Sequence, residues 1–327
     1  MEIVEKMRLS LVALSINLCI ADRPLTTNSY TSKTRQSAFT KSIPMSSSYN
    51  NSYRSKSLFT NQNIVLLSIG WAVLALLYYL LFGAKVPGAD GVESRAEWYV
   101  IGTNIFEALA YLGAGILCLR NWRSPQIVSS RNIWLAIGVG MLSYFLGGIF
   151  FGYTEIILKQ EPDISIGDVF FVLTYLSVGA GMILAVTSRR INLEKWQWLI
   201  VLAIGLFGSL LAWWISMQQG TSKEMLVVIV NWFYVISDVV LLILATTMLL
   251  AFWGGRVAQS WRMIAAAAFS LYIADMWFKY AQGPNYQSGD ILEVFWVFSG
   301  VLFGIGAVLE HDASLSRTRR ERGRKRV

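Results

Sequence analysis

The segment Gly289-Asp290-Ile291-Leu292-Glu293-Val294-Phe295-Trp296-Val297-Phe298-Ser299-Gly300-Val301-Leu302-Phe303-Gly304-Ile305-Gly306-Ala307-Val308-Leu309 puts two carboxylates at the mouth of an otherwise apolar run. A helix rises 1.5 Å per residue, so roughly 20 apolar residues cross the ~30 Å of hydrocarbon in a bilayer, and this run has that length. Its opening recurs. Thr103-Asn104-Ile105-Phe106-Glu107, Gly167-Asp168-Val169-Phe170-Phe171 and Ser237-Asp238-Val239-Val240-Leu241 each set a small residue, then Asn or Asp, then Ile or Val, at a hydrophobic stretch.

Working outward, the other apolar stretches fall at 64–82, 98–119, 133–153, 166–186, 196–216, 225–253 and 261–280, with 288–309 as the eighth. Hydrophobic residues make up 55% of the 327 and charged residues 15%, with a mean hydropathy of +0.49. A soluble domain does not carry repeated apolar runs of this length. The fold expected is all-α: a polytopic membrane protein of about eight transmembrane helices, arranged as four repeated helical hairpins. The odd-numbered spans repeat as well. Ser68-Ile69-Gly70, Ala136-Ile137-Gly138 and Ala203-Ile204-Gly205 recur at spacings of 68 and 67 residues, with Gly140, Gly147, Gly148 and Gly208 nearby. Small residues in such positions let helix backbones approach closely in lipid.

Three regions are expected: 1–60, a basic Ser/Thr/Asn-rich segment; 61–312, the membrane domain; and 313–327, a basic tail. Residues 25–60 hold no acidic residue and too little apolar surface to offset the entropy of ordering, so their composition predicts disorder. The run 9–20 is too short to span and is closer to a signal-peptide core, while Met45 is an alternative start.

Charge sets the orientation. Arg120, Arg123, Arg131, Arg189, Arg190, Lys195, Arg256 and Arg262 follow spans two, four and six, and the tail from Arg317 to Arg326 adds six arginines and a lysine against one glutamate. The opposite loops hold Asp90, Glu93, Glu97, Glu161, Asp163 and Glu224 beside a few lysines and Arg95. The positive-inside rule therefore predicts both termini in the cytoplasm. Trp134, Trp196, Trp198, Trp253 and Trp261 fall at the cytoplasmic ends of spans, where an aromatic belt is expected. The arginine tail fits anionic lipid, and no folded reader accompanies it that would suggest nucleic acid.

Ionisable groups inside a bilayer are costly and functional by default. Asn104, Glu107, Asp168, Asp238, Asp275, Asp290 and Glu293 are the candidate ligand- or proton-binding residues, and spans two, four, six, seven and eight are expected to surround a common polar cavity. Asp168 and Asp290 follow glycine at helix starts, where a carboxylate caps free N–H groups. Glu107, Glu293, Asp238 and Asp275 lie deeper, where capping explains less. Lys279, one turn after Asp275, is the nearest cation, Tyr111, Tyr175, Tyr234, Tyr272 and Asn285 are neutral partners, and Trp232, Trp277 and Trp296 offer an aromatic wall for a cation.

No catalytic residue, metal site or cofactor is expected. His311 is the sole histidine, Cys19 and Cys118 stand apart, and nucleophile-elbow, Walker, His-Glu-x-x-His and Cys-x-x-Cys patterns are missing. The segments Ser165-Ile166-Gly167-Asp168-Val169-Phe170-Phe171-Val172-Leu173-Thr174-Tyr175 and Ser288-Gly289-Asp290-Ile291-Leu292 resemble the multi-helix N-terminal membrane region of bacterial GGDEF and EAL signalling proteins. The resemblance implies a sensor-like role in a bacterial inner membrane. No Gly-Gly-Asp-Glu-Phe run occurs, and a short basic tail follows Asp312, so the output is expected from a partner protein. The expectation is a non-enzymatic sensor or accessory subunit with an outward-facing acidic pocket. A proton- or cation-coupled transporter or channel, and a structural subunit of a membrane complex, are the alternatives.

Overall fold

The computed structural model describes residues 60–87, 93–159, 164–188, 193–218, 224–252, 256–282 and 286–324, with backbone alone for 256–258 and 319–324. The expectations for 1–59, for Asn285 and Trp253, for the loop charges Asp90, Glu161, Asp163, Arg189 and Arg190, and for 325–327 lie outside the described residues.

Among the described residues eight α-helices follow one another: α1 (Asn61–Phe82), α2 (Glu97–Arg123), α3 (Arg131–Gly152), α4 (Ile166–Thr187), α5 (Lys195–Gln218), α6 (Met225–Ala251), α7 (Arg256–Ala281) and α8 (Val294–Arg324). A two-residue antiparallel ladder, β1 (Val86–Pro87) with β2 (Glu93–Ser94), closes the α1–α2 loop, pairing Val86 with Ser94. The all-α polytopic class is therefore as expected.

Seven of the helices are long and apolar enough to cross a membrane; α7 is the exception. Its sequence holds Gln259, Arg262, Asp275 and Lys279 among alanines, which lowers its hydropathy. Yet Trp261, Ile264, Ala265, Ala267, Ala268, Leu271 and Ala274 are all buried. A helix surrounded by protein needs little apolar surface of its own, and small alanines let its neighbours close in. By contrast α1 turns Leu66, Leu67, Leu74, Leu80 and Leu81 outward, and α5 does the same with Leu199, Leu202, Leu206 and Phe207. Those faces suit lipid.

Packing arranges α2, α3, α4, α6, α7 and α8 in a closed ring, each against the next and α8 against α2. Helix α1 leans mainly on α8, and α5 on α6 and α7. Close approach within the ring rests on glycine where α3 meets α4. A Cβ on Gly140 would come within 2.6 Å of Val178, and one on Gly181 within 2.7 Å of Ile137. Gly70 and Gly148 face open space instead, so the close-packing role expected of them is not realised.

The expected aromatic belt divides. Trp196 and Trp198 are half exposed at the start of α5, as a belt requires. Trp134 and Trp261 are fully buried and stack on each other, ring centroids 5.7 Å apart, with Phe252 5.8 Å from Trp261. The Trp134 indole donates to Ser129 Oγ at 2.7 Å. These two fill the ring interior; Trp134 finds a polar partner there in place of an interfacial one, whereas the Trp261 Nε1 has none among the described residues.

Helix α8 runs without a break from the membrane segment through Asp312 to Arg324. Just past its apolar part, Glu310 accepts from the Ser129 N–H at 3.2 Å and Ser314 from the Val128 N–H at 3.1 Å. The α2–α3 loop is thereby fastened to α8, and backbone donors ahead of α3 are satisfied.

Candidate functional site

At the end of the ring away from Arg120, Arg123, Arg131 and Arg262, helices α2, α4, α6 and α8 begin and α3 and α7 finish. Between them lies a cavity of about 210 Å³. Asn104, Glu107, Asp168, Asp238, Asp275 and Glu293 all line it, so six of the seven expected residues meet in one place. Asn231 and Gln282, both exposed, stand at its rim.

The local roles of the four repeated motifs differ. Asp168 is the fourth residue of a Ser165-Ile166-Gly167-Asp168 capping box, its Oδ2 accepting from the Ser165 N–H at 2.7 Å. Its other oxygen faces the cavity and accepts from the Tyr234 hydroxyl at 2.7 Å. Asp290 caps the short 3-10 turn Ile291–Glu293 through Leu292 N–H. Asp238 and Asn104 sit inside α6 and α2, past the first turn, where no backbone donor is free.

Asp238 is buried, and the Tyr175 hydroxyl lies 2.9 Å from its Oδ1 and 2.6 Å from Asp275 Oδ2. The Trp296 indole donates to the second Asp275 oxygen at 2.8 Å. One phenol brings one proton. Both contacts are made together only when one carboxyl carries a proton and donates it to the phenol oxygen. Four helices of the ring thus meet at a proton-sharing cluster.

Glu293 corrects the expectation that capping leaves it unexplained. Its Oε2 accepts from the Gly289 N–H at 2.7 Å and its Oε1 from the Tyr286 hydroxyl at 2.6 Å. Gly289 has φ +96°, a left-handed conformation that glycine adopts freely, and this turn aims its N–H at the carboxylate. Burial and the Glu293 carboxylate together push the Tyr286 phenol well above its ordinary range, so it stays a donor. Glu107 keeps the cavity-facing place expected of it, sharing the lining with Tyr144, whose ring stacks on Tyr111 at 3.7 Å.

Asp290 is the candidate that does not join the cavity lining. It pairs with Arg95 at 3.2 Å, and Arg95 also donates to the Gln287 carbonyl at 2.5 Å and the Gly83 carbonyl at 3.3 Å. Gln287 in turn accepts from the Arg95 backbone N–H at 3.0 Å. These bonds clip the α1–α2 loop to the α7–α8 loop above the cavity. Read as a loop charge, Arg95 gave no sign of this role.

Of the expected aromatic wall, Trp296 alone lines the cavity; Trp232 is exposed on the outer face of α6, and Trp277 is not among the lining residues. Tyr272 donates to the Gly208 carbonyl on α5 instead. Tyr79, Tyr144, Phe151, Phe171, Tyr175, Tyr234, Phe278 and Tyr286 supply the rest of the aromatic surface. Glu155 joins the lining because α3 continues past Gly152 as a π-turn, Tyr153–Ile157, a departure from α-helical periodicity that no residue pattern announces. In total six carboxyl side chains and Lys279 face one volume. No group of three or more His, Cys, Asp or Glu side chains among the described residues has the arrangement to hold a metal ion.

Comparison with protein-family models, with curated proteins and with solved structures gave no match to this chain.

Proposed function

We propose that this integral membrane protein is a non-enzymatic sensor, or the accessory subunit of one, whose cavity binds a small organic cation on the non-cytoplasmic side. One observation carries the reading: Glu107, Glu155, Asp168, Asp238, Asp275 and Glu293 converge with aromatic rings on a single cavity. Carboxylates attract a cation in a low-dielectric site, and ring faces add cation–π attraction of about 0.5–2 kcal/mol. The side is inferred from the arginine-rich loops at the other end.

Recognition is favoured over passage by what lies beneath. Tyr111, Met141, Met182, Met248, Ile264, Phe303, Trp134 and Trp261 fill the ring between the cavity and the arginine-rich end. A signal reaching that end would travel through packed helices, and α8 is the continuous one, beginning at the cavity and holding the α2–α3 loop. The resemblance to the membrane region of GGDEF and EAL proteins points to the same class, with a separate protein as output.

The test is thermal unfolding of the purified full-length protein in detergent with methylammonium, tetramethylammonium or sodium chloride at matched ionic strength. An organic cation is expected to raise the melting temperature above the sodium control, and Glu107→Gln to reduce that rise. Identical curves in the three salts would overturn the reading. Carboxylate-dependent cation flux into vesicles would favour the transporter.

A further inference from the structure

A second cavity, of about 550 Å³, opens on the flank of the bundle where α1 crosses α7 and α8. Its walls are apolar: Ala72 and Val73 of α1, Phe269 and Ile273 of α7, Phe298 and Val301 of α8. The one hydroxyl at its edge, that of Ser270, is turned away and donates to the Phe295 carbonyl at 2.7 Å. Water has nothing to bond there, whereas a hydrocarbon chain fits.

One helical turn beyond the groove's lining stands a basic residue. Arg262 precedes Ala266 by four residues, Phe269 by seven and Ile273 by eleven, so it lies on the same stripe of α7, toward the arginine-rich end. Its Nε is buried and has no hydrogen-bond partner among the described residues. The residue as a whole is only half-buried and makes no ion pair among the described residues, so a planar guanidinium without a counter-charge stands one helical turn from the apolar lining and matches a phosphate diester.

We propose that this groove holds one anionic phospholipid, its phosphate on Arg262 and one acyl chain against Phe269, Ile273 and Phe298. The site is distinct from the arginine tail and from the acidic cavity. Charge complementarity selects an anionic lipid over an apolar transmembrane helix, which would leave the half-buried guanidinium without a counter-charge.

Native mass spectrometry of the detergent-solubilised full chain, with dioleoylphosphatidylglycerol and dioleoylphosphatidylcholine added in equal amounts, tests this. A single phosphatidylglycerol adduct is expected over phosphatidylcholine by about fivefold, the effect of one basic residue on anionic-lipid binding. Arg262→Gln abolishes that preference and Arg262→Lys keeps most of it. Ala266→Phe and Val73→Phe, which fill the groove from opposite walls, lower retention of both lipids, with circular dichroism confirming that each variant is folded. Equal retention of the two lipids by the unaltered protein overturns the proposal. So does a phosphatidylglycerol preference that survives Arg262→Gln, which would place the lipid on the tail, or a protein dimer in place of lipid adducts.

Discussion

The Arg95 guanidinium and the Asp290 carboxylate, 195 residues apart in the chain, lie 3.2 Å from each other above the acidic cavity, with only 10% and 28% of their side chains exposed. Arg95→Ala removes this pair together with the bonds to the Gln287 and Gly83 carbonyls. Hydrogen bonds to charged groups contribute roughly 1.5–3 kcal/mol each, less where one partner is part exposed. Arg95→Ala is expected to destabilise by about 2 kcal/mol. Asp290→Asn, which keeps an oxygen for Leu292 N–H, costs less than Asp290→Ala, which also loses the cap. Thermal unfolding of the single and double variants checks the coupling: additive losses would mean that the two side chains act independently.

The Tyr175 hydroxyl stands between Asp238 and Asp275, which are themselves within hydrogen-bonding reach of each other. Tyr175→Phe removes the hydroxyl that donates to one carboxyl and accepts from the other, linking the buried Asp238 to the half-buried Asp275, at an expected cost of about 1–3 kcal/mol. Adding Asp238→Asn to that variant supplies an amide N–H for Asp275 and should recover part of the loss. A double variant less stable than Tyr175→Phe alone would show that the cluster needs the carboxyl of Asp238 itself. Melting temperatures in one detergent decide it.

The two tryptophan environments separate by the same measurement. Trp134→Ala empties space in a fully packed interior, and such truncations cost about 3–5 kcal/mol. Trp198→Ala removes a half-exposed ring at the start of α5 and should change stability in detergent by less than about 1 kcal/mol. Comparable losses at the two sites would contradict the division between core and belt.

The parts of this architecture that were legible from residues are those set by local physics. Helix number follows from apolar run length, and the box at Asp168 from Ser165-Ile166-Gly167-Asp168, where side chain and backbone lie within one turn. Convergence of the acidic residues also followed, because helices that alternate direction bring the starts of α2, α4, α6 and α8 to one end. Arg95 was illegible because its partners come from a distant loop. Trp134 and Trp261 read as belt residues because position along a helix gives depth in the bilayer, whereas their burial depends on which way the helix faces. The inner place of α7 was hidden for a related reason: hydropathy reports contact with lipid, and α7 meets mostly protein.

Glu293 and Glu107 offer the sharpest contrast within the cavity. Both carboxyl oxygens of Glu293 are engaged, by the Gly289 N–H at 2.7 Å and the Tyr286 hydroxyl at 2.6 Å, and these bonds hold the turn that starts α8. Glu293→Ala leaves a buried N–H unsatisfied and should destabilise by about 1–3 kcal/mol. Glu293→Gln retains an acceptor for that N–H and should lose less. Glu107 lies mid-way along α2 with no backbone donor to satisfy, so Glu107→Gln should leave the melting temperature of the protein in sodium chloride nearly unchanged. If Glu107 meets the cation directly, the same change removes a charge-assisted bond and weakens organic-cation binding by about tenfold or more. The measurement is the cation concentration giving half-maximal thermal stabilisation, compared across the three variants. An unchanged midpoint in Glu107→Gln would move recognition to the Asp238–Asp275 pair. A large loss of basal stability in that variant would make Glu107 a structural residue like Glu293.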